Sequence, residues 1–350
     1  MKTSFVSSLT IQNAMRLTIQ QAQTELIKVQ EEATTGRYAD IGVALGAGAT
    51  RSLDLNREVQ RLTSLKSTNS IVTQRLSASQ EALTQIANAA QASQKALIVL
   101  SGNNSTDQLD IAKTEILNSL SIFTSAANTS FSGEYIFSGI NSDVKPLADY
   151  NTNPASPAKA AFNTALTTYM GANGITSMGD FTVAEMTDFI TNVVEPMYTG
   201  TGWDTDWSNA SDQNMTSRIS TTEVVQSSTN ANSDGMRKFA LASIVATELF
   251  GSGISADVRS YVGQASISYM GSAISGIDAD RSKLGISEAR VKKADTSIEA
   301  QIKIVKLHVG DLEGVDAYEA TTRMKSLLAQ VETSYTLTSR LQQLSLVNFL

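Results

Sequence analysis

Three places in this chain carry residue types that could do chemistry. His308 is the only histidine, and an imidazole ligates metal or moves protons best with a second ligand or an orienting partner beside it. No cysteine or second histidine exists to help it. His308 lies beside an apolar helical seam and reads as a helix-surface residue. Asp204-Thr205-Asp206-Trp207-Ser208 followed by Asp212 echoes a calcium loop. Such a loop needs glycine at its sixth place and a closing glutamate at its twelfth. Asn209 and Met215 stand there instead, so a solvated loop is expected. Gly46-Ala47-Gly48 lacks the third glycine and the preceding strand of a dinucleotide fingerprint and reads as a flexible turn. With scattered carboxylates and no cysteine, thiolate chemistry, disulfides and Cys-ligated metals are excluded. No catalytic, cofactor-binding or metal residue is expected, and the chain is not expected to be an enzyme.

What remains is architecture. The 350 residues, 41% of them hydrophobic, can bury a real core and form more than one module. Aromatics make up only 6% and proline occurs four times, which favours long helices over a compact α/β core. The formal charge of −7 argues against nucleic acid, which needs a concentrated basic surface. No apolar run approaches the roughly 20 residues that span a bilayer, and Met1 to Leu9 lacks a sustained apolar core. Neither a cleaved signal peptide nor membrane insertion is expected.

The elements follow from hydrophobic spacing. Met15, Ile19, Ala22, Leu26, Val29 and Ala33 alternate by four and three, the seam of a helix lying along another helix. Gly36 and the stretch Gly42 to Gly48 predict a loop or extended segment. A second seam runs from Leu65 through Asn69, Val72, Leu76, Ser79, Leu83, Ile86, Ala90, Ser93 and Leu97 to Leu100. Counted from Leu55, that helix is about 70 Å long, and an elongated molecule is expected. Gly102-Asn103-Asn104-Ser105 ends it. A third helix, capped by Ser105 or Thr106, presents Leu109, Ile116, Leu120, Phe123 and Ala127 and should fold back antiparallel. Near the other end Ile298, Ile302, Val305, Val309 and Leu312 repeat the alternation. Gly310 and Gly314 are expected to loosen the chain before Met324, Leu328, Val331, Tyr335 and Thr338 resume it. Long amphipathic helices cannot bury their stripes alone, so the two arms should pair. Between them, every proline and both tryptophans fall within 140–250. Arg218 to Gln226 looks extended, Val183 to Val194 and Met236 to Phe250 helical. The fold class expected is mainly α, an antiparallel helical bundle or coiled coil of paired arms with a small mixed α/β outer domain inserted.

Two motifs add a resemblance. Gly133-Glu134-Tyr135-Ile136-Phe137-Ser138-Gly139, and a tail of Thr338-Ser339-Arg340-Leu341 followed by Leu344-Ser345-Leu346-Val347-Asn348-Phe349-Leu350, resemble the flagellin superfamily, most closely its hook-associated proteins that join filament to hook. Thr35-Gly36-Arg37-Tyr38-Ala39-Asp40-Ile41-Gly42 is similar to the family's Thr-Gly-basic start. It lacks the Ser-Asp-Asp-Pro continuation, and the Asp-Asp-Ala-Ala-Gly-Leu run of flagellin itself is also missing.

The resemblance implies a structural adapter of the bacterial flagellum between hook and flagellin filament. It would be exported by the flagellar type III route without a cleaved signal and located outside the cell. Implied partners are flagellin, the first hook-associated protein, an export chaperone, the export apparatus and further copies of itself in a ring. In such a protein terminal segments order on assembly, so Met15, Ile19, Ala22, Leu26, Val29, Met324, Leu328, Val331 and Tyr335 are expected at polymer contacts. Leu341, Leu344, Leu346, Val347, Phe349 and Leu350 form an apolar tail that needs a cover. The expected organisation is an inner arm over 1–40, a helical domain over 41–139 and 251–312, an outer domain over 140–250 and a second inner arm over 313–350. A flagellin filament subunit is the alternative; an enzyme with its site in the middle module lacks convergent acid–base residues.

Overall fold

The computed structural model describes residues 8–102, 106–152, 154–251 and 253–347. In chain order the helices begin with α1 (Ser8–Thr35), α2 (Ile41–Leu45), α3 (Ala49–Gly102) and α4 (Thr106–Ala127). A hairpin of β1 (Ser130–Phe131) and β2 (Glu134–Tyr135) follows, then α5 (Pro157–Asn173), α6 (Val183–Asp188), α7 (Glu195–Thr199) and α8 (Gly202–Asp206). A second hairpin, β3 (Thr216–Arg218) with β4 (Val224–Gln226), precedes α9 (Asp234–Leu249), α10 (Ala256–Glu313) and α11 (Ala317–Val347). The protein is mainly α, long helices carrying a small mixed region, as the spacing predicts. Its contacts fall into two units, Met1–Ser64 with Ser297–Leu350, and Leu65–Thr296.

The second unit holds most of the core. Every member of the α3 seam from Asn69 to Leu100 is buried, as are Leu109, Ile116, Leu120, Phe123 and Ala127 of α4. α3 runs antiparallel to α10: Ser101 meets Gly263, Gln94 meets Gly271, and the Gln80 side-chain amide donates to the Arg281 carbonyl at 2.7 Å. Farther along, Asn69 Nδ2 donates to Asp295 Oδ1 at 2.7 Å and to the Ile219 carbonyl at 2.9 Å. This one buried amide ties the β3–β4 hairpin to both helices. α9 is buried at every position but its four charged residues, Asp234, Arg237, Lys238 and Glu248. It crosses α10 where Gly235 meets Gly276, so closely that a Cβ on Gly235 would lie 2.6 Å from the Ile277 nitrogen.

Local chemistry explains the smaller elements. Ser132 and Gly133 both take positive φ (53° and 86°), as a two-residue hairpin turn between β1 and β2 requires. Ser156 caps α5 by accepting from Lys159 N, Pro157 opens the helix, and left-handed Gly174 closes it. Thr182 and Glu185 form a capping box on α6, and the backbone N–H of Thr182 holds the Glu185 carboxyl below the usual carboxylate range. A π-helical turn, Phe189–Val194, joins α6 to α7. Pro196 lies two residues beyond it, and its missing N–H and bulky ring favour a widened turn before it.

Three expectations need correction. Gly42 to Gly48 is not a loop: α2 is capped by the Asp40 side chain accepting from Val43 N, and Gly46–Gly48 makes a 3₁₀ turn. Local capping and one positive φ, at Gly46, outweigh the low helix propensity of glycine. Gly310 does not loosen the chain; α10 continues through it to Glu313, since an isolated glycine costs a helix only about 1 kcal/mol. The stretch Asp204 to Asp212 is not simply a solvated loop. Its first half is α8, and Trp203 and Trp207 are buried, their rings stacked 5.5 Å apart with Tyr150 stacked beyond Trp207. Indole burial fastens the segment inward, while Asp204 and Asp212 stay exposed beside Arg237.

Candidate functional site

The first unit is where the terminal helices meet. α1 and α11 lie antiparallel: Thr338 Oγ1 approaches Met15 Sδ at 3.8 Å, Arg323 pairs with Glu25, and Gln23 Nε2 donates to the Tyr335 hydroxyl at 2.8 Å. Ile19, Ala22 and Val29 on α1 and Ala320 and Val331 on α11 are buried. Met15, Leu26 and Met324 are half-buried, whereas Leu328 and Tyr335 are exposed. The backbone of Leu341, Leu344, Leu346 and Val347 belongs to α11, but their side chains lie outside the described residues, as do Phe349 and Leu350 altogether. Much of the seam is thus covered within one chain. Among the described residues, the apolar groups of the pair left facing solvent include Leu17 (57% exposed), Ile27 (67%), Leu337 (45%) and Tyr318 (82%), besides Leu328 and Tyr335. The Glu25–Arg323 pair is exposed and worth under about 1 kcal/mol, so apolar contact holds the helices together.

At one end of the pair the chain is tied by a polar network that spacing did not reveal. Glu313, the last residue of α10, is 1% exposed. Its Oε1 accepts from Ser52 Oγ and from Asn56 Nδ2 (2.7 Å), both on α3, and its Oε2 accepts from Arg37 Nη1 at 3.1 Å. The backbone repeats the connection: Tyr38 N donates to the Glu313 carbonyl at 3.0 Å, and Val315 N to the Gly36 carbonyl at 2.9 Å. Gly36 can take this place because it ends α1 at φ +68°. Asp316 then starts α11 by accepting from Tyr318 N at 2.8 Å. A signal existed in the sequence: an acidic residue at a helix C-terminus, where the macrodipole disfavours it, must have specific donors. Those donors lie as far as 276 positions away.

The motif Gly133 to Gly139 is the other built feature. Ile136, Phe137 and Ser138 are buried; Phe137 O accepts from Ala231 N at 2.8 Å and Ser138 O from Ser211 N at 2.9 Å. Ser138 Oγ donates to the Val144 carbonyl at 2.6 Å. Gly139, at φ +63°, would place a Cβ 2.4 Å from the Ser211 carbonyl oxygen and 2.6 Å from that of Gln213. The motif therefore fastens the end of α4 to the region that follows it, and its aromatic-Ser-Gly order is a packing requirement. Arg75 on α3 reaches back to Glu134 at 2.8 Å.

Family profiles now weigh in. That of the bacterial flagellin N-terminal helical region matches residues 6–142, ending just past this motif, and that of the C-terminal helical region matches 267–350. The chain belongs to the flagellin superfamily. A solved structure assigned as a flagellar hook-associated protein from Vibrio parahaemolyticus shares 11% identity at a TM-score of 0.53, covering 76% of this chain and 97% of that one. At such identity the likeness concerns the fold. No curated protein matches by sequence. The two profiles of this flagellin-superfamily member leave 143–266 unmatched, the region that holds the tryptophans and the β3–β4 hairpin.

Chemistry of other kinds finds little purchase. His308 is exposed on α10. Among the described residues no group of three or more His, Cys, Asp or Glu side chains is placed to hold a metal, and no helix is long and apolar enough to cross a membrane. Tyr150 and Tyr198 are pushed up first by burial, as is Tyr269, which also donates to Glu195 at 2.8 Å. These phenols are packing groups with satisfied or covered hydroxyls. The polar cleft that holds Asp212, Asn230, Asn232, Arg237 and Asp280 is knitted by its own hydrogen bonds, Asn232 alone joining Trp203, Ser208, Ala210 and Asp212.

Proposed function

We propose that this chain is a structural adapter of the bacterial flagellum, joining the hook, through the first hook-associated protein, to the flagellin filament. One observation carries the reading: the paired terminal helices of a flagellin-superfamily chain keep Leu17, Ile27, Leu328, Tyr335 and Leu337 in solvent. Such side chains on a helix pair offer area that a neighbouring subunit can cover. Seam positions Met15, Leu26 and Met324, half-buried in one chain, would close on assembly, and the tail from Leu341 to Leu350 would be held by an export chaperone beforehand. Residues 1–40 and 313–350 would form the inner layer of a ring of copies, 41–139 and 251–312 the helical domain around it, and 140–250 the outer domain. Export would follow the flagellar type III route to the outside of the cell, and no enzymatic step is needed.

A filament subunit is the second reading, favoured by the fact that both matching profiles describe flagellin. Deleting the gene separates them. Finished hooks without filaments, and free flagellin in the medium, support the adapter. Loss of a flagellin band from an otherwise complete export profile supports the filament subunit. Normal filaments overturn both.

A further inference from the structure

The polar cleft bordered by Asn230, Asn232 and Arg237 lies wholly within the Leu65–Thr296 unit and has a volume of about 680 Å³, inside the range of roughly 300–1,000 Å³ usual for small-molecule sites. One wall comes from 212–237, in the stretch that neither profile matches, and the other from 276–283 on α10. Asn230 and Asn232 are engaged in holding the first wall together, but three other polar groups are not. Thr229 is 3% exposed, yet among the described residues nothing bonds its hydroxyl. Ser233 Oγ is buried without a partner: it stands at the N-cap of α9 and does not cap it. Asp280, 7% exposed, offers Oδ1 to the Lys283 ammonium at 3.2 Å, and among the described residues nothing bonds its Oδ2. Buried polar groups in a folded protein are nearly always paired, so three spare ones lining one cleft point to a ligand that pairs them.

We propose that this cleft binds a neutral saccharide. Its charges are already matched: Arg237 lies between Asp204 and Asp212, Lys238 on Asp234 and Lys283 on Asp280. An anionic ligand would meet Asp234 and Asp280, and a cationic one Arg237 and Lys283, so a net charge of either sign is opposed. Hydroxyl groups, which donate and accept at once, suit the spare set: Asp280 needs a donor, and the hydroxyls of Thr229 and Ser233 take either role. Gly235, Gly276 and Ala279 line the same cleft with nothing larger than a methyl group. That leaves an apolar strip free of bulky side chains, on which the C–H face of a sugar ring can rest. The site belongs to the single chain and does not depend on what the chain assembles with.

Saturation-transfer NMR on the full chain tests it, with glucose, galactose, mannose and N-acetylglucosamine as probes and glucuronate and glucosamine as charged counterparts. At least one neutral sugar should receive magnetisation from the protein, and more of it than either charged counterpart. Thr229→Val keeps the shape of the side chain and removes an unpartnered hydroxyl, so the free protein should keep its urea midpoint while affinity falls by roughly 3- to 10-fold. Asp280→Asn removes the charged acceptor and should weaken binding by roughly 10-fold or more. Methyl glycosides of the bound sugar identify its source: equal binding points to a sugar held in a glycan, and binding of the reducing sugar alone to a free one. No transfer to any neutral sugar overturns the proposal, and so does transfer that both variants leave unchanged or that a charged counterpart exceeds.

Discussion

Gly139→Ala tests the role of the Gly133 to Gly139 motif as a packing device, with Gly133→Ala as its internal reference. Both glycines adopt positive φ, +63° and +86°, so either alanine incurs the left-handed penalty of about 1–2 kcal/mol. Only Gly139 has neighbours: its new Cβ would sit 2.4 Å from one carbonyl oxygen and 2.6 Å from another, whereas nothing lies within 4 Å at Gly133. Both obstacles are backbone and cannot swing aside. Relieving them means shifting the Ser211 to Gln213 segment and its bond to Ser138, an overpacking cost of about 1–3 kcal/mol. Gly139→Ala should therefore destabilise by about 2–5 kcal/mol, and Gly133→Ala by only about 1–2. Urea unfolding followed by tryptophan fluorescence reads this well, because Trp203 and Trp207 are both buried in the same unit. With slopes of a few kcal/mol per molar, the two variants should differ in midpoint by about half a molar. Coincident midpoints would refute the reasoning, since strain alone would then account for both.

Other outcomes follow from the same geometry. Trp203→Phe removes the indole donor to Asn232 Oδ1 at 2.8 Å and should cost about 1–3 kcal/mol by the same unfolding assay. Alkaline pH should destabilise the unit holding Tyr150, Tyr198 and Tyr269: the unfolded chain ionises these phenols near pH 10 while burial keeps the folded ones neutral, and the phenol of Tyr169 is pushed up to about 12. The unfolded state then binds fewer protons, so the urea midpoint should stay level below pH about 10 and fall above it. Ile19→Ala should lower the helicity of the α1–α11 pair, with a cost near about 2 kcal/mol, whereas Ile27→Ser should leave circular dichroism unchanged yet weaken incorporation into purified hooks seeded with the protein. Deleting residues 341–350 should abolish chaperone capture in a pull-down while most helicity survives.

Helices with a strong seam were legible because their pattern is local. Spacing alone located α3 and α11, and the alternation at Met15 to Ala33 gave α1 its direction of packing. Gly42, Gly48 and Gly310 misled because glycine lowers helix propensity only modestly, and caps or neighbours readily outweigh it. Tryptophan burial between 203 and 207 was hidden for a different reason: a run of aspartates looks solvated whichever face the intervening indoles take. The paired terminal helices could be foreseen, but the sorting of their apolar residues into covered and uncovered sets could not, since it depends on the rotation of one helix about the other. Glu313 lay further out of reach, because its burial depends on three donors distant in sequence.

The crossing of α9 over α10 has a bearing on how this chain can change. Where Gly235 rests on Gly276 there is no slack in either backbone, so the pair acts as a pin through two rods. Sliding α9 by one position would press Asp234 or Met236 into that spot, and inserting one residue into α10 ahead of Gly276 would swing the notch about 100° out of line. Lengthening or shortening is thus expensive within a turn or two of the pin and cheap in exposed connections away from it, such as the turn at Thr221 and Thr222 between β3 and β4. Evolutionary drift in length should collect in those connections, leaving the crossing as a landmark from which two distant relatives can be aligned when their side chains no longer agree.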